Sequence, residues 1–235
     1  MSLTKYHRKR NFAVSPEPSG QTATKQRAAK GTLVYVIQKH RATQLHYDFR
    51  LEFGGVLLSW AVPKGPSLDP SVKRLAMQVE DHPKDYANFE GVIPEGEYGG
   101  GTVMVWDTGT WAPDNPDISA ALAKGDLKFT LHGKKLNGSW VLVRTRGFGS
   151  SSKTSWLLIK HRDQFASSED VTAGKPRSAI SGKLLAQIAE DHGGDVERAA
   201  TGDPAPARGP AVRSPKKTIS KSAGTTGKVA AKKKG

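Results

Sequence analysis

Between Leu45 and Phe53, four ionisable side chains, His46, Asp48, Arg50 and Glu52, share one parity, while Leu45, Tyr47, Phe49, Leu51 and Phe53 share the other. Successive side chains of a β-strand point to opposite faces, so the stretch reads as a strand with one apolar and one titratable face. His46 and Asp48, two residues apart, stand roughly 6–7 Å from each other at Cα and can converge on one ion. His40 lies six residues earlier, across a bend at residues 41–44, and is a third candidate ligand. Two imidazoles and one carboxylate leave positions open for water or substrate on Mn²⁺, Fe²⁺ or Zn²⁺. The plainer alternative is a solvated strand face with cross-strand ion pairs, which a His-x-Asp pair alone does not exclude.

Anion-binding groups surround this stretch. Arg50 stands one place beyond the ligands, and its guanidinium suits bidentate phosphate contact. Lys64 lies in the stiff loop Pro63-Lys64-Gly65-Pro66, and Arg74 precedes a β-rich run. Taken singly, each also reads as an ordinary surface charge. Pro83 pushes His82 toward extended backbone at a strand end. From there His82 can protonate a leaving oxygen or hydrogen-bond a phosphate, with Tyr86 four residues on. The run Gly99-Gly100-Gly101 lacks the Gly-Lys-Ser/Thr of a phosphate-cradling loop and reads as a tight hairpin. Trp60, Trp106, Trp111 and Trp140 fall in or beside strand runs and read as core; His132 and His161 end strands and read as structural.

The elements that must position these groups are β-strands. The runs Leu33–Ile37, Leu45–Phe53, Val56–Val62, Leu75–Val79, Thr102–Trp106, Leu127–Leu131, Ser139–Thr145 and Ser155–Lys160 are short, β-rich and separated by turn signals such as Gly54-Gly55 and Asn137-Gly138. Such spacing predicts an antiparallel barrel or sandwich. One helix is expected at Asp117–Lys124, with Asp117 as N-cap and Gly125 just past its end.

Charge divides the 235 residues into four segments. Residues 1–30 hold seven Lys/Arg and one acid, and read as a basic arm broken by Pro16, Pro18 and Gly20. Residues 31–165 hold sixteen and fourteen, a nearly neutral β-rich domain. Residues 166–206 hold four and seven and read as a linker with a short helix in Ser181–Asp191; residues 207–235 hold nine and none, a disordered lysine-rich tail. Basic ends on a neutral core point to a polyanion, with nucleic acid ahead of membrane because no amphipathic apolar face accompanies the charge. The absence of cysteine excludes disulfides and thiolate metal sites. Without a span-length apolar run or a signal-like start, the chain is expected to be cytoplasmic.

Read together, QKHRATQLHYDFRLE, SWAVPKGPS, VEDHPKDYANFEGVIPEGEYGGGTVMVWDTGTW and SWLLIKH closely resemble the 3′-phosphoesterase domain of bacterial DNA ligase D, over roughly Tyr6 to Arg162. The resemblance implies a closed eight-stranded β-barrel with a Mn²⁺ site, Co²⁺ or Zn²⁺ also suiting such ligands. It implies trimming of DNA 3′ ends in non-homologous end joining: removal of a terminal ribonucleoside to leave a 3′-phosphate, then of that phosphate to leave a 3′-OH. By motif, His40, His46 and Asp48 correspond to the metal ligands. Arg50, Lys64, Arg74, His82 and Tyr86 correspond to phosphate-binding and catalytic positions, and Gln38 and Glu80 to residues lining the pocket. In the arm, Arg10, Phe12, Glu17 and Pro18 sit where the family has such residues, but Asn11 stands where it usually has Asp. With no ligase or polymerase segment in the sequence, the chain resembles a stand-alone, monomeric, nucleoid-associated version working beside a separate ligase and Ku. Two other readings remain: a DNA-binding accessory protein acting through its tail, and a non-haem Fe(II) oxygenase using His132 and Arg144 with the His-x-Asp pair.

Overall fold

A computed structural model describes residues 1–20, 32–145 and 154–205. Within them Met1–Pro204 forms one compact unit. The lysine-rich tail falls outside the described residues, as do residues 21–30 of the expected arm.

The strands are β1 (Leu33–Arg41), β2 (Leu45–Phe53), β3 (Val56–Val62), β4 (Arg74–Gln78), β5 (His82–Pro83), β6 (Gly91–Ile93), β7 (Gly101–Pro113), β8 (Asp126–Gly133), β9 (Asn137–Arg144) and β10 (Ser155–Lys160). Eight of them pair in the order β1-β2-β3-β4-β10-β9-β8-β7, and β7 pairs back onto β1. The result is the closed antiparallel eight-stranded barrel. The pair β5 joins the margin of β3, and β6 that of β7. Closure leaves no free edge along the barrel wall.

The β2–β3 hairpin turns at Gly54-Gly55, both at positive φ (59° and 83°), and its register sets Asp48 opposite Ala61 and Arg50 opposite Ser59. Strand β7 runs past the predicted end at Trp106, through Thr108-Gly109-Thr110, because it is shared between β1 and β8. At Gly109 the strands come so close that a Cβ would lie 2.1 Å from the His132 carbonyl oxygen, so only glycine fits. Helix α2 (Ile118–Lys124) starts on Asp117, whose side chain accepts from the Ala120 N–H (2.8 Å), and ends at Gly125 in the left-handed region, as the sequence predicts.

Inside the barrel the apolar parity of β2 meets Trp60, Trp106, Trp140 and Trp156, all at most 1% exposed, and Phe49 stacks on Phe129 at 5.7 Å. The outer parity of β2 is buried as well: Asp48, Arg50 and Glu52 are 7%, 2% and 8% exposed. A second apolar cluster covers it. Tyr6 on the five-residue helix α1 (Thr4–Arg8) packs with Tyr86, Ala87 and Phe89 of a 3-10 turn at Lys84–Asn88, against Val36, Leu57, Val103 and Val105 of the wall. Residues 1–20 are therefore part of the packed structure, tied down further by the Tyr6 hydroxyl donating to the Pro18 carbonyl (2.6 Å).

Residues 166–205 hold three short helices, α3 (Val171–Gly174), α4 (Leu185–Asp191) and α5 (Val196–Ala200), where the sequence suggests a linker and one helix. Val171, Leu185, Ile188, Ala189 and Ala199 enter the main core. These helices are too short to display a readable period, and tertiary packing holds them.

One buried carboxylate ties the wall together away from the charged face. Asp107 accepts from the Tyr35 hydroxyl (2.6 Å) and from the N–H groups of Lys135 and Leu136 (2.9 Å each). Burial pushes its carboxyl above the usual carboxylate range, against the pull of these donors. Replacing Asp107 by Ala strands three donors, and at about 1–3 kcal/mol per unsatisfied buried group the expected loss is roughly 3 kcal/mol or more. Urea unfolding checks this; a variant within 1 kcal/mol of wild type would show that the carboxylate is dispensable.

Candidate active site

β1 and β2 run antiparallel with His40 opposite His46 and Gln38 opposite Asp48, so the turn between them brings the three expected ligands together. Asp48 Oδ2 lies 3.7 Å from His40 Nδ1 and 3.7 Å from His46 Nε2, and the two rings are 4.8 Å apart. One donor atom from each residue falls within 4.8 Å of the others, the only such trio of His, Cys or acidic residues among the described residues.

Several features fit a divalent ion here. The contacts to Asp48 exceed hydrogen-bonding distance, so the protein leaves the three groups unjoined. His40 Nε2 is buried with no hydrogen-bond partner. His46 Nδ1 donates to the Gln44 carbonyl (3.0 Å), which leaves the Nε2 lone pair facing Asp48. Burial lowers the His46 pKa, with Asp48 opposing, and favours the neutral, ligating form. Burial would raise the Asp48 pKa, but Arg50 beside it and the two imidazoles outweigh that and hold the carboxyl well below the usual range.

Next on the same face is Arg50. Its Nε donates to Gln38 Oε1 (2.8 Å), Nη1 to Ser59 Oγ (2.8 Å) and Nη2 to Asp48 Oδ2 (3.2 Å), and it lies 4.9 Å from the Tyr86 ring centroid. Gln38 Nε2 in turn donates to the carbonyls of Tyr86 and Phe89 (3.0 Å each), fixing the 3-10 turn to the wall. Ser59 escapes a sequence reading based on titratable residues. The hairpin turn at Gly54-Gly55 carries the signal that would have placed it opposite Arg50.

His82 sits between two guanidiniums: Arg10 Nη2 is 3.1 Å from Nε2, and Arg50 Nη1 is 2.9 Å from Nδ1. The Glu80 carbonyl, 2.9 Å from Nδ1, can only accept, and Arg10 can only donate. Nδ1 therefore carries the proton and Nε2 the lone pair, while Arg50 Nη1 donates to Ser59. Burial, Arg50 and Arg10 together depress the His82 pKa well below its ordinary value. The histidine is neutral in this arrangement and not poised as an acid.

Arg10 comes from the N-terminal segment, donating to Glu17 Oε1 (2.9 Å) and Glu80 Oε1 (3.0 Å) with Tyr6 stacked 4.0 Å beneath it. Tyr86 donates its hydroxyl to Glu17 Oε1 (2.8 Å). Burial and Glu17 push its pKa well up, so it remains a phenol. Arg10, Asp48, Arg50, His82, Tyr86 and Tyr98 line a cleft of about 190 Å³ that also exposes His40, His46 and Glu80.

Lys64 and Arg74 are not among the cleft-lining residues. Lys64 is exposed in the loop after β3. The β3–β4 register pairs Ala61 with Met77, so Met77 shares the ligand face and Arg74 has the opposite parity. The Arg74 charge instead helps lower the Asp170 pKa, after the larger effect of the Thr172 hydroxyl. Asn11 is exposed and accepts from the Ala13 N–H (3.2 Å) in a local turn, outside the cleft. Glu52 pairs with Lys84 and accepts from the Val34 N–H (3.1 Å), a structural role. His132, exposed on β8, does not join the ligand trio, so the oxygenase pattern is not assembled. At about pH 6.5, the ordinary histidine value, ¹⁵N NMR should show His82 neutral with its proton on Nδ1, and Arg10→Gln should raise its pKa. An imidazolium at that pH would overturn the assignment.

Comparison with known proteins agrees with this geometry. The family model of the DNA Ligase D 3′-phosphoesterase domain matches residues 38–144, which include all three candidate ligands, Arg50 and His82. The multifunctional non-homologous end joining protein LigD of Pseudomonas aeruginosa is 54% identical over 187 residues, covering 78% of this chain and 22% of that protein. The multifunctional non-homologous end joining DNA repair protein LigD of Mycobacterium tuberculosis is 42% identical over 162 residues, covering 69% and 20%. That of Mycolicibacterium smegmatis is 39% identical over 171 residues, covering 69% and 21%. The chain thus spans about a fifth of the length of the curated relatives it matches. Through residues 38–144, the chain belongs to the DNA ligase D 3′-phosphoesterase domain family.

Proposed function

We propose that the protein is a Mn²⁺-dependent phosphoesterase that processes the 3′ ends of DNA in non-homologous end joining. It would remove a 3′-terminal ribonucleoside to leave a 3′-phosphate, then remove that phosphate to leave a 3′-OH. The observation that carries this reading is the adjacency of three convergent metal donors to two buried guanidiniums and a neutral histidine in one open cleft.

His40, His46 and Asp48 would hold the ion, which supplies Lewis-acid polarisation of a phosphoryl oxygen and a water of lowered pKa. Mn²⁺ is chosen through the family; Co²⁺ and Zn²⁺ suit the same donors. The chain's own groups do the rest. Arg50 and Arg10 have N–H groups in the cleft to donate to phosphoryl oxygens and offset the charge that builds there. Arg50 cannot turn away, because Gln38, Ser59 and Asp48 hold it on three sides. His82, neutral when the site is empty of substrate, acts as a hydrogen-bonding contact to the phosphoryl group and not as a standing acid. Tyr86 donates and does not attack. In the first reaction the oxygen of water joins phosphorus, the bond to the departing nucleoside O5′ breaks, and a proton ends on that oxygen. In the second, the bond to O3′ breaks in the same sense. Lys64 and Arg74, outside the cleft, are assigned no step.

The catalytic domain on this reading is the barrel of residues 31–165, with residues 1–20 and 166–205 packed on it. DNA ends in the nucleoid would be the partner, a ligase and Ku the neighbouring activities, and a monomer the working form. No described helix is long and apolar enough to cross a membrane.

A primer ending in one 3′-ribonucleotide, incubated with Mn²⁺, should be shortened to a 3′-phosphate and then to a 3′-OH. A chelator should stop both reactions. His46→Ala and Asp48→Ala should each abolish both; survival of either reaction would remove that residue from the ligands, and an intact primer with metal-loaded wild-type protein would sink the function.

Deleting residues 207–235, which hold nine Lys/Arg and no acid, should weaken DNA binding in proportion to the phosphates released. The slope of log affinity against log salt should flatten, while turnover of short primers persists. Loss of that turnover would instead make the tail part of the catalytic machinery, and binding without any turnover in the full chain would favour an accessory protein.

A further inference from the structure

Resting on that function, we infer that Tyr98 is the platform on which the departing 3′-terminal nucleoside stacks, so that it serves the first reaction and not the second. Of the two tyrosines lining the cleft, Tyr86 is 2% exposed and Tyr98 is 50% exposed. The rest of the cleft wall is largely charged or imidazole-bearing, so Tyr98 supplies its one open aromatic surface among the described residues. A nucleobase offers a flat π-face that stacks on such a ring whatever its identity.

A single exposed aromatic ordinarily needs no explanation. Tyr98 differs because the protein holds it in place. The Lys9 ammonium lies 4.2 Å from its ring centroid, donates to its hydroxyl (3.0 Å), and also donates to Glu80 Oε2 (2.9 Å). The Arg10 guanidinium carbon is 5.7 Å from the same centroid. Two side chains from the N-terminal segment thereby fix a ring that lies 89 residues from Lys9 in sequence. The loop carrying it is pressed onto the metal-ligand strand. A Cβ at Gly101 would lie 2.2 Å from the Arg41 carbonyl oxygen, and one at Gly99 would lie 3.6 Å from His40 Cε1. Only a glycine-rich chain brings Tyr98 this close to a ligand. A phosphate bound at His40, Asp48 and Arg50 thus has an aromatic surface beside it, where a ribonucleoside-terminated end has a base to place and a phosphate-terminated end has none.

The test compares two primers, one ending in a 3′-ribonucleoside and one in a 3′-phosphate, with wild type, Tyr98→Ala, Tyr98→Phe and Tyr98→Trp. Tyr98→Ala should raise KM for ribonucleoside removal by about tenfold or more, the range expected for loss of one base stack. Its removal of the 3′-phosphate should stay within about twofold, since an effect much smaller than tenfold is under 1.4 kcal/mol. Tyr98→Phe and Tyr98→Trp, which keep the ring, should stay near wild type on both. Unchanged Mn²⁺ affinity and melting temperature exclude damage to the ligand site or the fold. Equal weakening of both reactions would overturn the inference by placing Tyr98 on the retained strand. Failure of Tyr98→Phe alongside Tyr98→Ala would assign the effect to the hydroxyl and Lys9, and no effect of Tyr98→Ala would leave it a surface residue. The wild-type protein reports separately on the underlying function, because if it processes neither primer that function fails and this inference with it.

Discussion

The constraint on which the rest of the site depends is the burial of a charged guanidinium in the middle of a β-strand. Arg50 is 2% exposed, and an ion taken out of water this far is destabilising by several kcal/mol unless its donors are matched. The barrel wall meets that demand from three neighbouring strands: Gln38 on β1, Asp48 on β2 and Ser59 on β3. Each partner is there because the register puts it one rung away. Asp48 is thereby kept ionised, which is the state a metal ligand needs. Gln38 cannot rotate to spare Arg50, since its amide also fastens the 3-10 turn. The same contacts that stabilise the buried cation therefore preorganise the ligand, the turn and His82.

Closing a barrel buries one face of each strand, but this protein buries both faces of β1 and β2. The outer covering is the N-terminal segment and the 3-10 turn, joined by an apolar cluster around Tyr6, Tyr86 and Phe89. That covering gives the charged face a low-dielectric roof, which strengthens the Arg10 and Arg50 interactions and depresses His82. It also makes Arg10 interdependent with the fold: its partners Glu80 and His82 lie 70 and 72 residues away. Packing of the segment and assembly of the phosphate-facing cations are one event.

Much of this was legible in the sequence, for reasons that can be stated. Alternation over Leu45–Phe53 and paired glycines at the turn are local signals, and they placed β2, its hairpin and the ligand face. The Asp117 and Gly125 caps did the same for α2. What was not legible depended on contacts distant in sequence. Residues 1–20 looked like an arm because Tyr6 and Phe12 have no periodic apolar company; their burial comes from partners contributed by other elements. The helices of residues 166–205 each contribute few apolar side chains and borrow a core from the barrel. Arg74 was grouped with the phosphate-binding residues by motif, and the register of β3 with β4 turns it to the opposite parity. Parity could be counted along one strand from sequence, but not carried across the twelve residues between Val62 and the next strand without knowing the pairing.

Charge balance supplies a last argument about what the cleft receives. Lys9, Arg10 and Arg50 are paired with Asp48, Glu17 and Glu80, three cations against three carboxylates, and His82 is neutral. The protein groups alone therefore make a neutral site that would gain little by binding an anion. With a divalent ion on the trio the site carries two positive charges, close to the −1.5 to −2 of a terminal phosphate near pH 7 and above the single charge of an internal diester. Such a site holds a phosphomonoester more tightly than the diester that precedes it, by electrostatics alone. An enzyme that must use both as successive substrates then needs a further source of affinity for the diester, and a stacking surface beside the phosphate supplies it without strengthening the monoester. That asymmetry is what a polar, charge-balanced cleft with one open aromatic ring at its rim provides.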